Sequence, residues 1–391
     1  LHENNHSHDP QTGKKVSFGL VRMANIQPLT EVALSLFKNG VAGAIRIHLC
    51  VYHSQHPLLI RSSIESQLDD VLNRRDANRV FDIADIRARL DNFEEQDHLF
   101  IVLGSPVTEV GRDHDYDWAI VEPSSMRSLI QLAGRVRRHR HDEWPAVNIV
   151  IFDSNVRHLR HPGQPAYCLP GYEDEGRWAL NSHQMSELTT SDEVETIDAR
   201  PRISPRISLN PNESLVDLEH ARIAALMISP REPEAPAIDK PMNRRQRLRA
   251  QAPKPIPPLG AYSWWQAHRA SLTALCQQQQ PFRENATSQV ELVLVPDDSG
   301  ENFLLRQMDS KKRGRGNDSH LSAMIETKHQ RISSEELMSA NVEPWGESAY
   351  MEALVRLADQ LNMELEDCAM KFGKVSVADS VNGWRYHPVL G

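Results

Sequence analysis

The 391-residue sequence is poor in cysteine. Its four, Cys50, Cys168, Cys276 and Cys368, lie far apart and none forms a C-x-x-C pair, so a zinc site has no support. They read as free buried thiols in a reducing cytoplasm. No apolar run approaches the roughly 20 residues that a membrane span needs. The start, Leu1-His2-Glu3-Asn4-Asn5-His6, has no signal-peptide character and no Met, which points to a fragment or a processed chain. Positive charge is not in excess: 44 Lys and Arg face 53 Asp and Glu, a net −9. That excludes a generally basic, DNA-coating protein, and leaves a binder that gathers its positive charge on one face. Also absent are G-x-x-x-x-G-K-[ST] and D-E-x-[HD]. The Gly-Lys pairs, Gly13-Lys14 and Gly373-Lys374, have no glycine five residues before, and Asp217-Leu218-Glu219-His220 has the wrong order. The phosphate cradle and the Mg²⁺-holding acid of a nucleotidase are missing. The chain alone is therefore not expected to hydrolyse ATP.

What is present is ordinary in bulk, 40% hydrophobic and 25% charged, and long enough for two or three domains of roughly 100–200 residues. Strand-like and helix-like segments alternate at first. Residues 16–23, 44–52, 98–103, 118–121 and 147–152 read as strands. Helices are read at 30–37, around Ile64-Leu68-Val71-Leu72, around Ile83-Ile86-Leu90, and at 125–138 with Ser124 or Ser125 as its cap. Such alternation predicts a parallel sheet covered by helices, with ligands beyond the carboxyl ends of its strands. After about residue 160 the pattern weakens. Residues 214–227 read as a helix with a capping-box start. Residues 230–258 hold eight prolines and the basic cluster Arg244, Arg245, Arg247, Arg249 and Lys254, and read as a linker. A Trp264-Trp265 helix, a strand at 290–295, a charged loop at Lys311-Lys312-Arg313 and a helix with Met351, Leu354, Val355 and Ala358 complete the chain. His141-Asp142 and His8-Asp9 lack the further histidines and helical aspartate that a metal pair needs. No metal is assigned to this chain, and His2, His6 and His8 read as a polar loop.

One segment carries chemistry. Gln131-Leu132-Ala133-Gly134-Arg135-Val136-Arg137-Arg138 matches Q-x-x-G-R-x-x-R. Charge that develops on a γ-phosphoryl group is stabilised by arginines from across a cleft. Guanidinium suits the task because its planar fork bonds phosphate oxygens bidentately and stays protonated. On a helix, Arg135 and Arg138 would point to one side, with Gly134 allowing close approach. Upstream, Gly104-Ser105-Pro106-Val107-Thr108-Glu109-Val110-Gly111-Arg112-Asp113 follows a strand. There the strand-end hydroxyl of Ser105 is placed to touch a DNA phosphate or the ATP site, Gly111 to make a tight turn, and Asp113 to hold a ribose hydroxyl or orient an arginine.

These two segments resemble motifs VI and V of superfamily 2 helicases, in the right order, which implies a RecA-like second motor lobe at 1–160. Accessory helices and linker would follow at 161–258, and a smaller mixed, mainly helical domain at 259–391. Val107 to Trp118, with its acids at Asp113, Asp115 and Asp117, is similar to motif V of the CRISPR-associated helicase-nucleases of type I. Gly19 to Ile26, Tyr52-His53-Ser54, Ser124 to Ser128, Gln280 to Glu284 and Trp384 to Pro388 look like the type I-F (YPEST subtype) branch. The resemblance implies catalytic roles for Gln131, Arg135 and Arg138, and nucleotide contacts at Gly111, Asp113 and Gly134. It implies nucleic-acid contacts at Ser105, Thr108, Arg22 and Asn25. ATP would be shared with an absent first lobe, with its Mg²⁺ and the divalent metal of an HD nuclease domain bound outside this chain. Partners would be that lobe and domain, single-stranded DNA, a crRNA-guided surveillance complex and the Cas1 integrase. A non-catalytic DNA-binding scaffold with the same fold, or another superfamily 2 lobe acting on RNA or restriction targets, remain as alternatives.

Overall fold

The computed structural model describes all residues except 141, 169, 228–287, 298, 301–302, 309–320, 325–328, 338, 347–348, 380 and 382. The linker with its basic cluster, Cys276, the Trp264-Trp265 helix, Gln280 to Glu284, the Lys311-Lys312-Arg313 loop and His141 lie outside the described residues.

Nearly continuous apolar runs build the central sheet. Strands β2 (Lys15–Arg22), β3 (Ile45–Tyr52), β4 (Asp97–Gly104), β5 (Trp118–Val121) and β6 (Ile149–Ile151) are all parallel, in the order β3-β4-β2-β5-β6. Side chains alternate between faces with a period of two. Phe18, Leu20, Phe100 and Val102 therefore point to one face, and Leu49, Val51, Ile101 and Leu103 to the other. Helices α2 (Leu58–Val71), α3 (Ala84–Asn92) and α4 (Met126–Ala133) cover the first face. Helix α1 (Ile26–Asn39) lays Leu29, Ala33 and Phe37 on the second. Burial on both faces is the reason the strands lack polar alternation. Gly19 lies under the Trp118 ring, where a Cβ would come within 2.2 Å of Cζ2. A short β1 (Ser7–His8) pairs antiparallel with β2.

Small helices α5 (Val156–Arg160), α6 (Met185–Leu188), α7 (Ser191–Val194) and α8 (Arg200–Ile203) lead to α9 (Leu215–Met227). The C-terminal segment differs from the mainly helical domain read from its sequence. Strands β7 (Gln289–Pro296), β8 (Phe303–Met308), β9 (Leu321–Met324) and β12 (Lys374–Ala378) form an antiparallel sheet in the order β12-β7-β8-β9. Helices α10 (Tyr350–Leu361) and α11 (Leu365–Phe372) pack on it, with Tyr350 Oη donating to the Leu294 carbonyl at 2.7 Å. β10 (His329–Arg331) and β13 (Trp384–Tyr386) form a separate parallel pair. β11 (Val342–Pro344) does something the sequence does not announce: it pairs in parallel with β3 and becomes the outer strand of the first sheet.

Residues 389–391 also return to that sheet. His53 accepts the Gln55 N–H on Nδ1, so its proton sits on Nε2 and is donated to the Leu390 carbonyl at 2.6 Å. His53 stacks on His56 with ring centres 4.5 Å apart, both buried. Burial lowers His53 to about 4 and drives His56 well down. His98, buried and beside His48, is also lowered to about 4. These groups stay neutral in the fold but take up protons near 6.5 once unfolded. The unfolded chain thus binds more protons between pH 6.5 and about 4, and stability falls on acidification across that window. The expected loss is about 1.4 kcal/mol per pH unit for each such histidine at full slope. Urea unfolding at stepped pH measures it, and a midpoint flat from neutrality down through this window contradicts it.

Candidate functional site

The chain leaves β4 at the carboxyl edge of the sheet. Gly104 accepts the Met23 N–H at 2.9 Å, and Ser105 N donates to the Tyr52 carbonyl at 3.1 Å, which ties the ends of β2, β3 and β4 together. Pro106–Glu109 make a 3-10 turn in which Thr108 Oγ1 donates to the Ser105 carbonyl at 3.0 Å. Three residues expected to touch DNA prove to be packed away here. Thr108 and Arg22 are fully buried and Ser105 is 4% exposed. Arg22 Nε lies 2.8 Å from Glu109 Oε1, and its Nη2 donates to Ser128 Oγ at 2.9 Å. Burial raises the Glu109 carboxyl, opposed by the Arg22 charge. The physical reason is internal: a guanidinium at a strand end is consumed by a carboxylate on the covering turn. Of the four expected contacts, Asn25 is the more open. It is the N-cap of α1, and its side chain makes no capping bond.

From Glu109 the segment runs back across the sheet face to the amino edge, where β5 begins. Val110 is 65% exposed, and Gly111 takes φ +73°, the left-handed region in which a side chain is strained. The acids at 113, 115 and 117 then alternate with strand period. Asp113 faces solvent. Asp115, fully buried, accepts the backbone N–H groups of Arg138 (3.1 Å) and His139 (3.0 Å) and Nη2 of Arg140 (2.6 Å). Asp117, 2% exposed, accepts Phe18 N at 2.7 Å and Arg140 Nη1 at 2.6 Å, with Arg74 Nη1 at 3.5 Å.

The second motif sits beside this segment. Ser125 caps α4 by accepting the Ser128 N–H at 3.1 Å. The helix stops at Ala133, not at 138, with Gly134 as its C-cap. Arg135 and Arg138 are thus carried by a turn after the helix. Val136 bridges Tyr116 in parallel, two residues before β5, so the turn is pinned at the amino edge rather than at the carboxyl edge expected. Arg137 pays for the geometry with φ +52° and lies over the Trp144 ring at 3.9 Å.

The tips nevertheless share one open strip. Gln131, Gly134 and Arg138 are exposed and Arg135 is half-buried, with exposed Gly111 and Asp113 alongside. Arg138 donates through Nε to Asp113 Oδ1 and through Nη1 to the Gly134 carbonyl at 3.1 Å. Arg135 Nη2 donates to the Glu109 carbonyl at 3.2 Å. Burial lowers Arg135, and the neighbouring Arg138 charge lowers it further. The hydrogen bond from Arg138, followed by His139, holds Asp113 down to about 2. A Cβ at Gly134 would meet nothing closer than the Gln131 carbonyl at 3.5 Å, so nothing within the fold demands glycine there. Clustered guanidiniums with an open glycine fit a polyphosphate by donor chemistry. Two residues escaped the sequence reading: Arg75, 2.9 Å from Asp113, and Arg140, whose signal was the acid alternation. Among the described residues no three His, Cys, Asp or Glu side chains gather as a metal site, and no helix is long and apolar enough to cross a membrane.

Two family models match the sequence. Residues 15–141 match "CRISPR-associated nuclease/helicase Cas3, C-terminal", and residues 294–391 match "CRISPR-associated Cas3 subtype I-F/YPEST-like, C-terminal domain". The chain is 41% identical over 387 residues to the "CRISPR-associated nuclease/helicase Cas3 subtype I-F/YPEST" of Pseudomonas aeruginosa, covering 98% of this chain and 32% of that protein. It is 35% identical over 394 residues to the protein of the same name from Pectobacterium atrosepticum, covering 100% and 33%. The chain thus spans about a third of the length of these curated relatives. A solved structure described as "Crystal structure of T. fusca Cas3-ATP" overlaps 34% of this chain and 14% of its own at 16% identity, with a TM-score of 0.26, too slight an overlap to carry weight. By sequence across its whole length, the chain belongs to the CRISPR-associated Cas3 nuclease/helicase family of subtype I-F/YPEST.

Proposed function

We propose that this chain supplies the second motor lobe of a CRISPR-associated helicase-nuclease that moves along and degrades invading DNA. In this reading ATP is shared with a first lobe, and Arg135 and Arg138 reach its terminal phosphates while Gln131 and Gly134 line the same cleft. Gly111 and Asp113 stand beside the nucleotide, Asp113 toward the ribose or an arginine. Mg²⁺, and the divalent metal of an HD nuclease domain, belong to the partner domains. Single-stranded DNA runs along the carboxyl edge, where Asn25 and the N–H groups opening α1 meet its phosphates. Recruitment falls to a crRNA-guided surveillance complex, and the Cas1 integrase is a further partner.

The observation that carries the reading is the division of labour at the amino edge. Buried Asp115 and Asp117 immobilise the turn, while Gln131, Gly134 and Arg138 are left open on one side. Catalysis by charge stabilisation needs donors held in place before the charge develops. That both relatives are named as nuclease/helicases supports the same class of activity. The scaffold reading explains neither the open glycine nor the cost of a left-handed arginine. Co-expression with a first lobe is the test. ATP hydrolysis that appears only when both pieces are present is the expected outcome, and a combination as inert as its parts contradicts the motor. DNA-stimulated rather than RNA-stimulated hydrolysis separates it from an RNA-directed lobe.

A further inference from the structure

Asp113 is a carboxylate on which two arginines of the open strip and a histidine converge. Its Oδ2 lies 2.9 Å from Arg75 Nη2 and 3.2 Å from His139 Nε2, and its Oδ1 accepts from Arg138 Nε. The grouping is built rather than incidental. Arg74 N donates to His139 Nδ1 at 3.2 Å, so the imidazole proton sits on Nε2, which lies 3.2 Å from Asp113 Oδ2 without the angle of a hydrogen bond. The same bond ties the loop after α2 to the turn that carries Arg138. Arg74 is spent inward on Asp117, and its neighbour Arg75 is turned outward beside Arg138. Arg135 stands behind with its Nη2 on the Glu109 carbonyl.

Three guanidiniums around one carboxylate leave an excess of positive charge at the strip. The pairs on Asp113 are exposed, with the side chains of Arg75, Asp113 and Arg138 open by 70%, 51% and 43%. Such pairs contribute little and exchange readily. A phosphate group offers a guanidinium fork the same acceptor geometry as a carboxylate, with more charge. We propose that Asp113 is a built-in counter-anion that the terminal phosphates of a nucleotide displace, and that Arg75 is a third phosphate-contacting arginine beside Arg135 and Arg138. This rests on the motor reading above and adds to it a residue and an exchange. Before nucleotide arrives, Asp113 keeps the two outer arginines extended and mutually screened. When a more highly charged oxygen cluster enters, both forks transfer to it, and the carboxylate swings free.

Inorganic tripolyphosphate tests this on the 391-residue chain, because it carries the phosphates without a ribose for Asp113 to hold. By calorimetric titration, R75A is expected to weaken tripolyphosphate binding about tenfold, the loss of a charge-assisted bond. D113N, which keeps the shape but removes the competing charge, is expected to tighten binding severalfold. R75K should fall between R75A and the unaltered chain, since it keeps charge without the fork. Arg75 is outward, so the fold of these variants is not at risk. Unchanged affinity in R75A beside weakened affinity in R138A overturns the proposal and leaves the motor reading standing. Unchanged affinity in R75A, R135A and R138A alike overturns the proposal, whereas the motor reading falls only if ATP turnover by the two-lobe assembly survives R135A and R138A. Weaker binding in D113N sinks the counter-anion role. Loss in R75A of single-stranded oligonucleotide binding, with tripolyphosphate unaffected, assigns Arg75 to DNA and overturns the proposal. Absence of saturable tripolyphosphate binding by the unaltered chain overturns it as well.

Discussion

Replacing Arg138 by alanine is expected to lower ATP turnover by the two-lobe assembly about a thousandfold or more, the scale on which such arginines act. Arg135→Ala should do the same. The expectation follows from where the two side chains end. Arg138 is 43% exposed and held by Asp113 and the Gly134 carbonyl, so its removal leaves no buried hole. Arg135 is half-buried and gives one bond, to the Glu109 carbonyl. Neither truncation should unfold the lobe, and thermal unfolding of each variant checks that separately. Lysine should not rescue position 138, because an ammonium is a point donor and cannot offer the paired N–H groups of the fork. The loss should appear in kcat, with the nucleotide KM moving less, if the bonds strengthen as charge builds during transfer. A turnover that survives both alanine changes within a few-fold would make these arginines ordinary surface charges.

Asp117→Ala is the substitution expected to harm the fold most among the residues of this region, by about 3–5 kcal/mol, the cost of breaking a buried pair from one side. Asp117 is 2% exposed and accepts from Phe18 N, Arg140 and, at 3.5 Å, Arg74. Alanine would strand the Arg74 guanidinium, itself 2% exposed, and leave a buried strand N–H without an acceptor. Asparagine should recover part of the loss, since its carbonyl can still take the Phe18 N–H while its amide opposes Arg140. The midpoint of urea unfolding reports both. A change below about 1 kcal/mol would mean that the network behaves like an exposed pair.

The two expectations separate what the sequence displays from what it conceals. Most of the parallel strands were legible because burial on both faces writes a nearly unbroken apolar run, which β6, half-exposed, keeps only as three residues. Ser125 was legible as a cap, and the two motifs were legible by spacing. The end of α4 was not, although Gly134 is a common helix stop. The apolar rhythm reaches Val136, and the agent that diverts the chain is Asp115, twenty-odd residues upstream, gathering the N–H groups of Arg138 and His139. Arg22 and Thr108 were expected at the DNA because the family resemblance implied contacts there. Their burial depends on Glu109 and on the 3-10 turn folding back, a tertiary event with no local mark. Arg75 was invisible for the opposite reason: an outward arginine has many meanings until the carboxylate it faces is known. The C-terminal sheet was partly missed because β8 mixes polar and apolar residues without clean alternation, and β12 alternates over only five residues.

The outer strand contributed by residues 342–344 has a consequence for how the lobe comes into being. It is held there by long-range bonds: the Asn341 amide bonds the Val41 carbonyl across 300 residues of sequence, and the Glu343 carboxylate sits 2.6 Å from His48. During synthesis that flank of β3 has no partner strand until residues 342–344 have emerged. A protein cut short at residue 160 would carry that sticky ribbon permanently and recruit strands from its neighbours. The first sheet and the distant segment that completes it are in this sense a single folding event, finished last at the place where it looks, in sequence, to have been finished first.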